Sequence, residues 1–108
     1  MQAALEALSD ATRRRIVEEL AGADRTAGEL AALFDISRPG VSRHLRVLRE
    51  AGLVDVDPVA QRRVYSLTAE PLAEIDEWLG RYRSLWTQRL DALATEIARG
   101  KRAREDER

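Results

Sequence analysis

"SRPGVSRHLRVLREAGL", Ser37 to Leu53, is the stretch that decides the fold. From Ile36 to Arg49 it carries Arg38, Arg43, Arg46 and Arg49 and no acid, inside a protein of formal net charge -1. At about 100° per residue, Val41, Leu45, Leu48 and Ala51 gather on one side of a helix, while Arg38, Pro39, Ser42, Arg43, Arg46 and Arg49 occupy the other. The positive charge is therefore a surface stripe backed by an apolar face. An ordinary solvated helix face interleaves acids and bases at i,i+4 spacing, and here no acid comes before Glu50. Pro39 belongs in the first helical position, where its missing N–H costs nothing, with Ser37 or Arg38 as the cap. Gly52 closes the helix.

Toward the N-terminus, the spacing of Leu5 and Leu8, then of Ile16, Val17 and Leu20, predicts two short helices. They part at "SDAT", where Ser9 or Asp10 caps the second, and Gly22 ends it. "TAGEL" supplies a capping box, Thr26 at the cap and Glu29 three residues on, for a helix that carries Leu30, Leu33 and Phe34 inward and stops near Asp35. Two helices joined by a tight turn, the second basic on its exposed face, match a helix-turn-helix whose second helix enters the major groove of double-stranded DNA. Gly40 and Ser42 are small enough to let the backbone approach base edges.

Toward the C-terminus, "LVDV" (Leu53 to Val56) and "RVYSL" (Arg63 to Leu67) read as a small hairpin joined through "DPVAQ". From Pro71 to about Gly100 one long helix is expected, with Leu72, Ile75, Leu79, Tyr82, Trp86, Leu90, Leu93 and Ile97 in 3-4 alternation. Such a stripe is dimer core more often than the lining of an effector pocket, and Trp78 and Leu85 on the adjacent flank would pack the helix against its own domain. Residues 101–108 have no apolar periodicity and are expected to fray as a charged, disordered tail. The fold class is thus mainly α with a small β-hairpin wing: a winged helix-turn-helix over residues 1–70, a dimerisation helix of the same domain over 71–100, and the tail.

Composition closes other routes. At 108 residues and 44% hydrophobic, the chain fits one small domain of the kind often stabilised by pairing. It has no cysteine, hence no disulfide, thiolate metal site or thiol switch. His44 is the single histidine; at the edge of the buried face it reads as structural rather than as a base contact, and a metal-binding imidazole needs companions. Ser42 and His44, two apart, point to different sides of the helix and make no catalytic pair. No phosphate loop or nucleophile elbow appears, so neither enzyme activity, cofactor nor metal site is expected. No apolar run approaches the roughly 20 residues of a membrane span, and a cytoplasmic protein is expected. Glu70, Glu74, Asp76 and Glu77, with no base among them, offset the arginines in the sum, so the net charge conceals a polarised molecule. Those four read as a solvated face rather than a cation site.

"ALSDATRRRIVEELA", "GELAALFDISRPGVSRHLRVLREAGLV" and "RRVYSL" together resemble the ArsR/SmtB family of winged helix-turn-helix repressors over roughly residues 3 to 70. The resemblance implies a homodimer with N- and C-terminal helices at its interface, Leu5 among them, a recognition helix in each of two major grooves, and a wing on the backbone. Family base-facing positions map onto Arg38, Pro39, Ser42 and Arg43, and the wing arginines onto Arg62 and Arg63. The cysteine pair and the histidine and carboxylate ligands of metal-sensing members are missing, and the aromatic last helix, "EWLGRYRSLWTQRLDAL", resembles that of the non-metal-sensing branch. The usual wing-tip glycine is replaced by Ala60 beside Gln61, and Asp55 and Asp57 count against a wing contact with phosphate. The function expected is a sequence-specific DNA-binding regulator, a repressor acting as a homodimer on an inverted repeat, with a winged-helix protein-interaction module as the alternative. No effector ligand is assigned.

Overall fold

Capping chemistry sets the helix boundaries in the computed structural model, which describes residues 1–59 and 61–106. Helix α1 (Gln2–Ala7) is followed by α2 (Ala11–Gly22), which opens on Asp10, whose carboxylate accepts from the Arg13 N–H at 3.0 Å. Three side chains satisfy the carbonyl end of α1: Ser9 Oγ donates to Glu6 O (2.6 Å), Arg13 Nε to Ala7 O (2.6 Å), and an Arg14 guanidinium N–H to Leu8 O (2.7 Å). Two of the consecutive arginines in "TRRR" are thereby committed to a helix corner whose carbonyls would otherwise lack partners.

Strand β1 (Arg25–Thr26) leads into α3 (Ala27–Phe34) through the full capping box of Thr26 and Glu29. Helix α3 stops at Asp35, held at φ 52°. Helix α4 (Arg38–Glu50) opens on Ser37, which accepts from the Gly40 N–H at 3.2 Å, and this puts Pro39 second in the helix rather than first. At its far end Gly52 takes φ 78°, and two 3.0 Å bonds, Gly52 N–H to Arg49 O and Leu53 N–H to Leu48 O, close the last carbonyls. That pattern needs a left-handed residue, which glycine adopts without steric cost.

Strands β2 (Val54–Val59) and β3 (Arg62–Leu67) form the hairpin, and β1 pairs with the other side of β3, giving the antiparallel order β1-β3-β2. The register runs from Val54 opposite Leu67 to Val59 opposite Arg62. This corrects the sequence-based hairpin in two ways. Strand β2 continues through Pro58, tolerated because β2 is an edge strand and Pro58 need not donate to a ladder. And β1 was not expected at all: two residues carry no alternation, and their partners, Val64 and Tyr65, lie far along the chain. The wing-tip residue Ala60 lies outside the described residues.

Met1–Ile75 and Asp76–Arg108 are separate compact units. The core of the first gathers Ile16 and Leu20 of α2, Leu30 of α3, Val41, Leu45 and Leu48 of α4, and Leu53, Val54 and Tyr65 of the sheet region. Each fully buried leucine or isoleucine contributes roughly 1.5–3 kcal/mol relative to exposure. Helix α5 (Glu70–Asp106) spans both units as a single helix. It begins one residue before the expected Pro71 and runs six residues beyond Gly100, through part of the segment expected to fray. One internal glycine lowers helix stability by only about 1 kcal/mol, and the arginines, lysine and alanine after it are good helix formers. Residues 107–108 lie outside the described residues. Among those described, no helix is long and apolar enough to cross a membrane.

Candidate nucleic-acid interface

Helix α4 presents its two faces as the 3.6-residue period requires: Val41, Leu45 and Leu48 are buried, and Arg38, Pro39, Ser42, Arg43, Arg46 and Arg49 are exposed. An open groove of about 750 Å³ lies between this exposed face, the start of α3 and the hairpin. Arg38, Ser42, Arg62 and Arg63 all line it. A smaller neighbouring cleft is bounded by Ser42, Arg46, Arg49, Arg63 and Tyr65. Of the eight residues singled out from the sequence, six therefore border one or other of two adjacent clefts that share Ser42, Arg63 and Tyr65. Arg43 and Pro39 are exposed on α4 but line neither cleft.

Sheet register explains how the hairpin arginine reaches α4. Opposed residues in an antiparallel pair share a face, so Val54 with Leu67, Val56 with Tyr65, and Pro58 with Arg63 form one side of the wing. That side supplies the core through Val54 and Tyr65 and carries Arg63 onto the groove beyond them. Asp55 and Asp57, opposite Ser66 and Val64, belong to the other face. Their charge does not share the face of Arg63.

The groove also contains an acid. Glu29 Oε1 accepts from the Thr26 N–H (3.2 Å) and from Thr26 Oγ1 (3.0 Å), and the Glu29 N–H donates back to Thr26 Oγ1 at 3.2 Å. Those bonds hold its carboxyl below the ordinary carboxylate range; partial desolvation opposes this, and the charges of Arg25 and Arg62 add to it. Arg25 stands 3.9 Å from Glu29 and 3.6 Å from Glu19. At the opposite side of α4, the Arg13 N–H bond lowers the Asp10 carboxyl, burial opposes it, and the His44 imidazole lies within electrostatic reach. His44 is half-buried there, away from the groove lining.

A sequence profile described as a helix-turn-helix domain matches residues 8–57. The HTH-type transcriptional regulator Rv2034 of Mycobacterium tuberculosis is 46% identical over 91 residues, 84% of this chain and 82% of that protein. Transcriptional repressor SdpR of Bacillus subtilis is 38% identical over 79 residues, 73% of this chain and 88% of the relative. Among solved structures, an ArsR-like transcriptional regulator from Rhodococcus sp. RHA1 matches with a TM-score of 0.69 and 34% identity, over 85% of this chain and 87% of that one. This chain belongs to the ArsR family.

As an ArsR-family winged helix-turn-helix regulator and not an enzyme, it uses α3 and α4 as the two helices of the motif. Several sequence-based assignments change within that frame. A Cβ at Gly40 would lie 3.1 Å from both Ile36 Cγ2 and Ser37 Oγ, so this glycine makes room for the cap of α4 rather than for a base edge. Leu72 and Ile75, placed in the dimer seam from periodicity, are half-buried against their own domain's core. Periodicity cannot separate the two uses because both lie on one stripe of one helix. Leu5 is half-buried on α1. Leu79, Tyr82, Trp86, Leu90, Leu93 and Ile97 are each between 43% and 63% exposed. Trp78, expected to face its own domain, is 38% exposed, and its ring meets Tyr82 edge-on at 5.3 Å.

Thr26, Ala27, Gly28, Glu29, Gln61 and Tyr65 complete the groove lining and are not among the expected contacts. The capping box announced Thr26 and Glu29 as a helix start; only β1, pairing beside β3, brings that start to the wing.

Proposed function

We propose that this ArsR-family regulator represses transcription as a homodimer, each protomer laying α4 in a major groove of an inverted-repeat operator. The carrying observation is the pair of adjacent clefts, sharing Ser42 and Arg63, that Arg38, Arg46, Arg49 and Arg62 also line. Guanidinium forks suit phosphates and guanine edges. The exposed face of α4 lacks the aromatic and apolar anchors that a protein-binding helix uses, which favours DNA over a protein-interaction module. The likeness to the Bacillus repressor supports repression. Pairing is supported by the exposed apolar row of α5, since contiguous apolar patches of this kind mark association surfaces. A two-fold dimer would prefer half-sites about one helical turn apart, roughly 34–36 Å.

Selection of duplexes from a random pool, followed by titration of variants, tests this reading. Arg43→Ala is expected to weaken the selected site by roughly 1–3 kcal/mol and relax one base position, as loss of a base contact does. Arg49→Ala, nearer the end of α4, is expected to weaken all duplexes about equally and to flatten the salt dependence, the signature of a lost phosphate contact. Two variants that bind every duplex as the parent does would remove α4 from the interface.

A further inference from the structure

Gly28 is the second residue of α3, a place where glycine weakens a helix relative to alanine. Helix formation therefore gives no reason for it. Its surroundings do: a Cβ built at Gly28 would meet three atoms of one guanidinium, Arg38 NH2 at 3.4 Å, Cζ at 3.5 Å and Nε at 3.6 Å. Three nearly equal distances mean that the plane of Arg38 lies flat over the first turn of α3. Gly22 and Gly80 face open space, Gly40 its own cap and Gly52 the Pro71 ring, while Gly100 meets a single Arg104 nitrogen at 3.8 Å; only Gly28 meets three atoms of one guanidinium. Among the described residues, no ion pair or side-chain hydrogen bond engages the Arg38 guanidinium. The guanidinium lies over the space that a side chain at position 28 would take, with its donors unengaged.

We propose that Gly28 is a positioning residue for nucleic-acid recognition, the slot that holds the Arg38 guanidinium flat and ready in the groove between α3, α4 and the wing. An arginine fixed in advance loses less side-chain freedom when it binds, and its fork meets the duplex in one orientation. An alanine at position 28 would rest at ordinary contact distance and leave Arg38 in place. Any longer side chain would occupy the volume of the guanidinium and push it out. Leucine serves as the probe because it is a better helix former than glycine, so it strengthens α3 while blocking the slot.

This inference rests on the proposed DNA-binding role of the groove, and the experiment separates the two. Parent, Gly28→Leu, Arg38→Ala and the double variant are titrated by fluorescence anisotropy with the duplex that the parent selects from a random pool, alongside thermal melting. Arg38→Ala is expected to lose about tenfold in affinity, the scale of one good fork contact. Gly28→Leu is expected to lose about fivefold with a melting temperature no lower than the parent's, and the double variant to bind within about twofold of Arg38→Ala, because coupled residues are not additive. Should Gly28→Leu melt well below the parent, Gly28→Ser takes its place in the same cycle, with about threefold loss expected. If Arg38→Ala binds as the parent does, Arg38 has no role in the groove and the functional reading fails at that residue. If Arg38→Ala weakens binding but the folded position-28 variant does not, or if the two losses multiply in the double variant, the positioning role is overturned and the groove reading stands.

Discussion

Asp10 and Glu29 start two helices with one device, a carboxylate accepting backbone N–H bonds, and both are held below the ordinary carboxylate range mainly by those bonds. The sign follows from linkage. A carboxyl whose folded pKa lies below its unfolded value stabilises fully above the unfolded value, near 4, and that stabilisation is lost as pH falls through the folded value. Asp10→Asn keeps a good cap acceptor but removes the titration. Its stability, compared by urea unfolding at about pH 7 and about pH 3, is expected to fall less on acidification than the parent's; an equal fall would take Asp10 out of the acid response. Capping residues of this kind are legible in sequence because the interaction spans three residues. Gly28 and Gly40 were not legible as packing devices, since one depends on where Arg38 comes to rest and the other on how closely Ile36 and Ser37 fold over the first turn of α4.

Helices with a strong period were the most readily found elements, and α4 emerged with its buried and exposed faces assigned correctly because 3.6-residue geometry leaves little choice. The same geometry leaves two uses open along α5. Leu72 and Ile75 continue the row of Leu79, Tyr82 and Trp86, yet the structure packs the first two on their own core and leaves the later ones exposed. Leu79 and Leu90, exposed in the single protomer, are therefore the residues that test the proposed seam. Leu79→Asp and Leu90→Asp would each place an unpaired charge in that seam, an unfavourable burial of several kcal/mol that dissociation avoids. Sedimentation velocity at micromolar protein is expected to show monomer for both variants, with loss of operator binding. A dimer that survives both changes would put the interface elsewhere. The short strand β1 marks the opposite limit: two residues have no period, and only the pairing with β3 defines them.

For the molecule as a whole, the sequence inventory governs which signals it can receive. With no cysteine and one histidine, the chain offers no thiolate and a single imidazole, where zinc sites usually draw four such donors. Among the acids once considered for a hard cation, Glu74 lies 3.6 Å from the N-terminal ammonium and Asp76 lies 3.0 Å from Arg83. Micromolar zinc, copper, cadmium or arsenite, and mild peroxide, are therefore expected to leave affinity for a labelled operator duplex unchanged at fixed ionic strength. A tenfold loss reversed by chelator would overturn that expectation. Within the first unit, Thr26 pairs with Val64 as a strand residue and caps α3 as a helix residue. One residue serving two elements is a splice rather than a hinge. The hairpin cannot lift away from β1 without loosening the start of α3, so wing and helix-turn-helix belong to one cooperative opening unit. Under the proposed DNA-binding role, a duplex that loads the wing would also load the start of α3 through Thr26.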